Sequence, residues 1–337
     1  MTLGGGNDYI NVNKMPLGAL FLPDPVTGVL SPNPENIGGP GSPNNKAADY
    51  QPYGFAYGSN TIYVLSHRGY SNYNGFQVIL ERQARNLAFN VSYSHGKALG
   101  TELSENPYSL RGNYGVLPLD RPNVITMTYS YNDLNAYHGG DKLLSGLINN
   151  WMISGITLWA GGGNLQAVSS PNFGMTLQYT GLLPAGVSPT YGSATYYGTT
   201  ASMKVMPLTT CDPGSVLAEN QHVKASCFAP PAIGSYGPRN YPYLSSASYT
   251  DADLSVIKTF HVTERNLITF RAAAFDWINH PLAAFSGSQQ LTLYYNTNYA
   301  TKATTLSSST SPTFGYTDTK AGGDERRVIE LEVKYSF

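Results

Sequence analysis

Charge is what this sequence has least of: Asp, Glu, Lys and Arg make up 12% of its 337 residues, against roughly a quarter in soluble domains. Something other than charge must therefore cover the surface. No stretch approaches the roughly 18 consecutive apolar residues of a transmembrane helix, so any membrane crossing is made by strands. The opening MTLGGGNDYI has neither a basic start nor an apolar run, which excludes a secretory signal peptide there and, for an envelope protein, predicts that coding sequence continues upstream. There is no dense Lys/Arg cluster and the formal net charge is -1, so nucleic acid is not an expected partner. Cysteine is almost absent. Cys211 and Cys227 stand 16 positions apart in a loop-like stretch, a spacing that permits a disulfide in an oxidising compartment, with two free thiols as the alternative.

What the sequence has in quantity is aromatic and turn-forming residues: 26 Tyr, 12 Phe and 3 Trp, with 35 Gly and 22 Pro. Amphipathic rings collect where hydrocarbon meets water. Several segments of about ten residues alternate apolar with small polar residues, the pattern of a strand with one greasy and one wet face. Leu87, Phe89, Val91 and Tyr93 alternate with Ala88, Asn90, Ser92 and Ser94; Ile125, Met127, Tyr129 and Tyr131 alternate with Val124, Thr126, Thr128 and Ser130. The final segment is the clearest, with Ile329, Leu331, Val333, Tyr335 and Phe337 on one face and Glu330, Glu332, Lys334 and Ser336 on the other. A soluble sandwich gives the same alternation, so periodicity alone leaves both open.

Link lengths discriminate better, because outer-membrane barrels join strands by short turns on the periplasmic side and longer loops outside. Strands are expected near 73–83, 86–97, 121–133, 150–161, 249–261, 265–279 and 326–337. The links then alternate short (near Ala84 and Arg85), long (98–120), medium (134–149), very long (162–248), short (262–264) and long (280–325). Three long structureless links on one side suit a barrel and not a soluble domain, and the parity places Phe337 at the periplasmic end. The expected fold is all-β, an antiparallel transmembrane barrel segment. Residues 1–72 form an N-terminal region read mostly as another external loop, with strand-like pieces near 8–13 and 60–67, and residues 73–337 carry the barrel strands.

Catalytic and metal-binding patterns are missing. His67, His95, His138, His222, His261 and His280 show no zinc-site spacing and read as surface or turn residues. Asp251 and Asp253 share a strand face; two carboxylates suit a calcium ion less well than a charged lumen wall. No Ser/His/Asp arrangement is present, and Gly161, Gly162 and Gly163 end a strand with no helix after them, so they read as the start of a loop and not a phosphate cradle. No enzyme activity and no cofactor are expected. Arg271 and Glu332 fall on the polar faces of the last two strands, where a cross-strand ion pair is expected, with Glu330 as a further lumen-facing charge.

Linked motifs over nearly the whole chain resemble one family, the barrels of Oar-like TonB-dependent receptors, which carry an N-terminal carboxypeptidase-regulatory-like domain. NVNKMPLGALF at 11–21 is similar to that family's "NLNQ-PLGALF", SNYNGFQVILERQ at 71–83 to "SNYNALQVSLQRR", and VSYSHGKAL at 91–99 to "VSYTWSKAL". NNWMISGIT at 149–157 resembles "GGWQLSGI", and DADLSVIKTFHVTERNLITFRAAAFDWINHP at 251–281 resembles "DLSLFKNFRITERLRLQFRAEAFNLFNHP". RRVIELEVKYSF at 326–337 is similar to the closing strand. Ala273 and Asp276 depart from the family's usual Glu and Asn. The resemblance implies the C-terminal part of a barrel of about 22 strands that imports a bulky nutrient. Its partners would be outer-membrane lipid, the barrel-assembly machinery, which would read Ile329, Leu331, Val333, Tyr335 and Phe337, and TonB through a plug domain absent from this sequence. The imported ligand is not legible. A small self-contained porin or anchor barrel is the first alternative and a soluble β-sandwich binding module the second.

Overall fold

The computed structural model describes residues 8–31, 33–37, 45–101, 106–165, 173–185, 187–201, 203, 205–235, 244–263, 265–280, 283, 285, 290–317 and 327–337. In chain order, β1 (Asp8–Asn11) pairs antiparallel with β2 (Tyr63–Ser66), with the one-turn helix α1 (Gly54–Tyr57) between them. Then come β3 (Ser71–Ala84), β4 (Leu87–Thr101), the short β5 (Tyr114–Val116), β6 (Asn123–Leu134), helix α2 (Lys142–Ile148) and β7 (Trp151–Ala160). Short strands β8 (Gly174–Thr180) and β9 (Thr190–Tyr191), helix α3 (Ser193–Tyr197), β10 (Leu208–Thr209) and β11 (Phe228–Ala229) follow. The long pair β12 (Tyr249–His261) and β13 (Leu267–Phe275), then β14 (Thr292–Asn298), β15 (Thr304–Leu306) and β16 (Val328–Ser336), end the series.

Seven strands form one antiparallel meander in the order β3-β4-β6-β7-β12-β13-β16, with β5 added against the end of β4. These are the seven segments that the alternation marks. A two-residue turn at Arg85 and Asn86 joins β3 to β4. At the β12–β13 turn, Thr263 Oγ1 accepts the Asn266 N–H at 3.1 Å, a side-chain bond that closes the reversal. Between β6 and β7 the register shifts after Tyr131, where Asp133 takes φ 60°, a bulge that Asp tolerates better than a β-branched residue.

Directly opposed residues share a face, so the registers give each face row by row. One row reads Ala84, Leu87, Tyr131, Ile153, Val256, Ala272, Leu331; the next reads Arg82, Phe89, Tyr129, Gly155, Leu254, Ala274, Ile329. The opposite face carries Gln83, Ala88, Ser130, Ser154, Ser255, Ala273 and Glu330 in one row, and Glu81, Asn90, Thr128, Ile156 and Asp253 in another. On the apolar face no protein covers Leu331 (69% exposed) or Val333 (70%). A contiguous greasy wall of this size is a membrane-contact surface. On it the hydroxyl end of Tyr129 lies over Gly155, where a Cβ would meet Tyr129 Oη at 2.4 Å and come within 2.6 Å of the Asp253 carbonyl oxygen. Glycine there lets an aromatic ring cover the backbone of β7.

The long links depart from expectation. Read as structureless loops, 162–248 and 280–325 instead build a second sheet of order β15-β14-β8-β9 among their described residues. Its central pair is parallel, with Thr292 opposite Gly174 through to Asn298 opposite Thr180. The physical reason is burial: Leu293, Tyr295 and Thr297 alternate inward along β14 and need apolar partners from the other link. Those partners include Phe173, Leu177, Tyr196, Val223, Phe228 and Leu244, all in one core cluster with Phe314 of the same link as β14. Leu165 joins that cluster just after β7, where a Cβ on Gly162 would fall 2.5 Å from the Ser246 carbonyl carbon; only glycine lets the two backbones meet so closely.

Two further segments dock on this unit, which we term the cap. From the N-terminal region, the Gly18 N–H donates to Tyr197 O at 2.8 Å and the Leu20 N–H to Gly198 O at 3.0 Å, while Met15 and Leu20 pack with Ala194. Glu35 reaches across to accept from the N–H groups of Gly192 (2.8 Å) and Thr195 (2.6 Å), placing a carboxylate at the start of α3. From the 98–120 link, Tyr108 Oη meets Thr199 Oγ1 at 2.6 Å and donates to Met15 O. Much of the stretch read as an external loop is thus ordered against the cap.

Candidate functional site

Two surfaces present chemistry. The first is a trough of about 620 Å³ on the polar face, with contributions from β3, β4, β6, β7, β12 and β13. Its floor is mostly hydroxyl, amide and methyl groups: Gln83, Asn90, Thr128, Ser130, Ser154 and Ser255 among them. Alternation puts these side chains inward because their sequence neighbours go to the apolar wall. Arg271 is held in two ways, with Nε donating to Ser255 Oγ at 3.1 Å and Nη1 lying 3.6 Å from Glu332 Oε2. With 43% and 57% of those two side chains exposed, the pair contributes about 0–1 kcal/mol and mainly orients the guanidinium. Glu330 stands opposite Ala273, so a methyl group and not a second charge faces it across that row.

Asp251 and Asp253 lie on this face as expected of a strand, but Asp253 is engaged by the backbone. Its Oδ1 accepts the Asp276 N–H at 3.0 Å and pins the turn after β13, where Asp276 takes φ 46° and its carbonyl accepts the Asn279 N–H at 2.8 Å. Asp at 276 thus meets the same backbone demand as Asn, since both tolerate the left-handed region. Among the described residues no three His, Cys, Asp or Glu side chains gather as a metal ion would require. The trough offers hydrogen bonds and one oriented cation, which suits holding a polar surface.

The second surface is the cap, and sequence reasoning missed its contents. Tyr179 packs edge-on against Tyr191 (4.4 Å between centroids) and Tyr299 (5.1 Å), and Tyr191 against Tyr196 (5.1 Å). Lys302 Nζ sits 3.9 Å from the Tyr299 centroid, a cation over an aromatic face. Burial pushes the phenols of Tyr179, Tyr191, Tyr196 and Tyr295 up from the ordinary tyrosine range, so they stay protonated. His222 meets the ring of Phe285 edge-on, 5.9 Å between centroids, and its Nε2 lies 3.3 Å from Thr317 Oγ1; burial lowers its pKa. The available signal was the period-two run at 174–180 and again at 291–298, but which strand pairs with which is not written locally.

Cys211 and Cys227 are disulfide-bonded with Cα atoms 4.9 Å apart, beside the β10–β11 pair of the cap. Ile329, Leu331, Val333 and Tyr335 share the apolar face of β16, and Phe337 stacks on Tyr335 at 5.8 Å. A family model described as an outer membrane beta barrel domain matches residues 12–329. No curated protein and no solved structure matches the chain.

Proposed function

Because the chain belongs to the outer membrane beta barrel domain family and is an outer-membrane protein, we propose that it forms the C-terminal part of the barrel of an Oar-like TonB-dependent receptor that imports a bulky nutrient. The observation that carries this reading is the pair of open edges: among the described residues β3 and β16 each pair with a neighbour on one side only, yet both bear the apolar wall. Each unpaired backbone group in hydrocarbon costs several kcal/mol, so both edges need strand partners. Closing seven strands on themselves would leave an interior narrower than that of an eight-strand barrel, which side chains already fill. Adding strands to reach about 22 instead keeps the trough open as part of a wide, plug-facing lumen wall.

In this reading the tyrosine-rich cap contributes to external capture. The polar trough lines the path. TonB acts through a plug carried on another part of the protein, and the barrel-assembly machinery reads β16 and Phe337. The role is transport, without a catalytic residue. The test is uptake: in cells carrying the gene, import of the nutrient should require both the gene and TonB, and sequence 5′ of the Met1 codon should encode a plug and further strands in frame. Uptake unchanged by loss of TonB, together with β3 cross-linking to β16 within one chain, would replace this reading with a small self-contained porin or anchor barrel.

A further inference from the structure

Helix α2 lies on the outside of the sheet, at its short-turn end. Asp141 caps it by accepting from the N–H groups of Leu143 (2.8 Å) and Leu144 (3.3 Å). Asn149 closes its other end, donating to Tyr137 O at 2.8 Å and to Ser145 Oγ at 3.1 Å. Two contacts tie that end to the apolar wall. Trp151 Nε1 donates to Leu147 O at 3.0 Å, and Lys258 Nζ donates to Asn149 O while lying 5.6 Å from the Trp151 ring and 5.0 Å from the Phe260 ring. Trp151 and Lys258 are directly opposed in one row with Phe270 and Val333, on the face of Leu331.

The helix itself is almost unsupported by protein. Leu143 is 86% exposed, Leu147 60%, Leu144 43% and Ile148 36%. At 3.6 residues per turn these four fall within an arc of about 140°, and Lys142 falls opposite its centre. A helix this short is marginal in water, and four uncovered apolar side chains add to the cost. Its two caps and its tether hold it in place, and its stripe continues a wall that already faces hydrocarbon.

We propose that α2 is a lipid anchor: its leucine stripe sits at the boundary between headgroups and acyl chains of the adjoining phospholipid leaflet, roughly 5–10 Å deep, while Lys142 points to the headgroups. The occupant is phospholipid because the stripe is continuous with the membrane wall, and the tether runs through Trp151 on that wall. That the leaflet is the periplasmic one rests on the orientation adopted above; contact with lipid does not. Lys258 completes the arrangement, its charge covered by two rings and a carbonyl where an aliphatic neighbour would leave Asn149 O open at the membrane surface.

The experiment uses the complete protein, with every strand its gene encodes, assembled in vesicles of phosphatidylethanolamine and phosphatidylglycerol, with the Cys211–Cys227 bond intact so that it takes up no label. An environment-sensitive fluorophore is attached in turn at Leu143→Cys, Leu147→Cys, Lys142→Cys and Leu331→Cys. The expected result is blue-shifted emission at 143, 147 and 331. Shallow nitroxide lipids should quench 143 and 147 most, and deep ones 331, while position 142 is quenched by aqueous iodide. Water-like emission at both 143 and 147 with a lipid-like 331 overturns the anchor alone. Cross-linking of 147 to a second copy overturns it in favour of a protein contact. Water-like emission at 331 as well overturns the membrane wall itself, and the anchor with it.

Discussion

Replacing Leu293 by Ala tests whether the cap is one cooperative unit. Leu293 is fully buried near the start of β14, opposite Met175 of the parallel strand β8, within a cluster that draws on both long links. Truncating a buried leucine removes its transfer energy and leaves a cavity that closes only in part, together about 3 kcal/mol. At about 1.4 kcal/mol per tenfold, the opening equilibrium of the cap should rise on the order of a hundredfold. Amide hydrogen exchange followed peptide by peptide reads this directly. Protection should fall not only in 290–317, which carries the substitution, but by a similar factor in 173–198 and at the Gly18 and Leu20 amides, which donate to Tyr197 O and Gly198 O. Protection of β6 and β7, paired within the membrane sheet, should stay unchanged. If exchange accelerates in 290–317 alone, the two links fold independently and the argument from shared burial is wrong.

Opening the Cys211–Cys227 bond by Cys211→Ser with Cys227→Ser should destabilise the closed stretch by about 3 kcal/mol in the chain-entropy model. Faster protease cleavage between those positions checks it, and two alkylatable thiols in wild-type outer-membrane material would contradict the bond. On the apolar wall, Leu331→Lys should cost about 2–4 kcal/mol of membrane stability and Val333→Lys less, because Val333 shares the row of Lys258 and Trp151 near the short-turn end. Removing Phe337 should lower outer-membrane yield, measured by heat-modifiable mobility. For His222, a folded pKa below the ordinary 6.5 means that the unfolded cap takes up its proton first. Cap stability should therefore be full above that value and fall as pH drops through it toward the lower folded pKa. Proteolysis across a pH series should show a step that His222→Gln removes.

The membrane sheet was legible because most of its strands, β4, β6 and β16 above all, set an apolar face against a polar one, and the short turns at Arg85 and at Thr263 pin the registers between them. Arg271 and Glu332 could be paired on paper for the same reason. The cap was not legible, although MTLQYT at 175–180 alternates as plainly as LEVKYS at 331–336. A parallel partner from a distant link carries no local mark, and Gly, Ser and Thr around it read as loop. Nor could α2 be placed: seven residues without a long apolar period look like part of a turn until the tie from Trp151 shows which wall they lie on.

The parallel pairing of β8 with β14 also sets an order of events. Residues numbered in the 170s meet residues numbered in the 290s only after β12 and β13, which lie between them in the chain, have been delivered. Such distant contacts form late, because the intervening chain must lose its freedom before they reward it. Until then β14 has only the short β15 along one edge, and its inward leucine and tyrosine lack their partners from the other link, the condition that invites pairing with the wrong chain. The cap is therefore the slowest part of this molecule to mature, and a stall in membrane insertion would be felt first there.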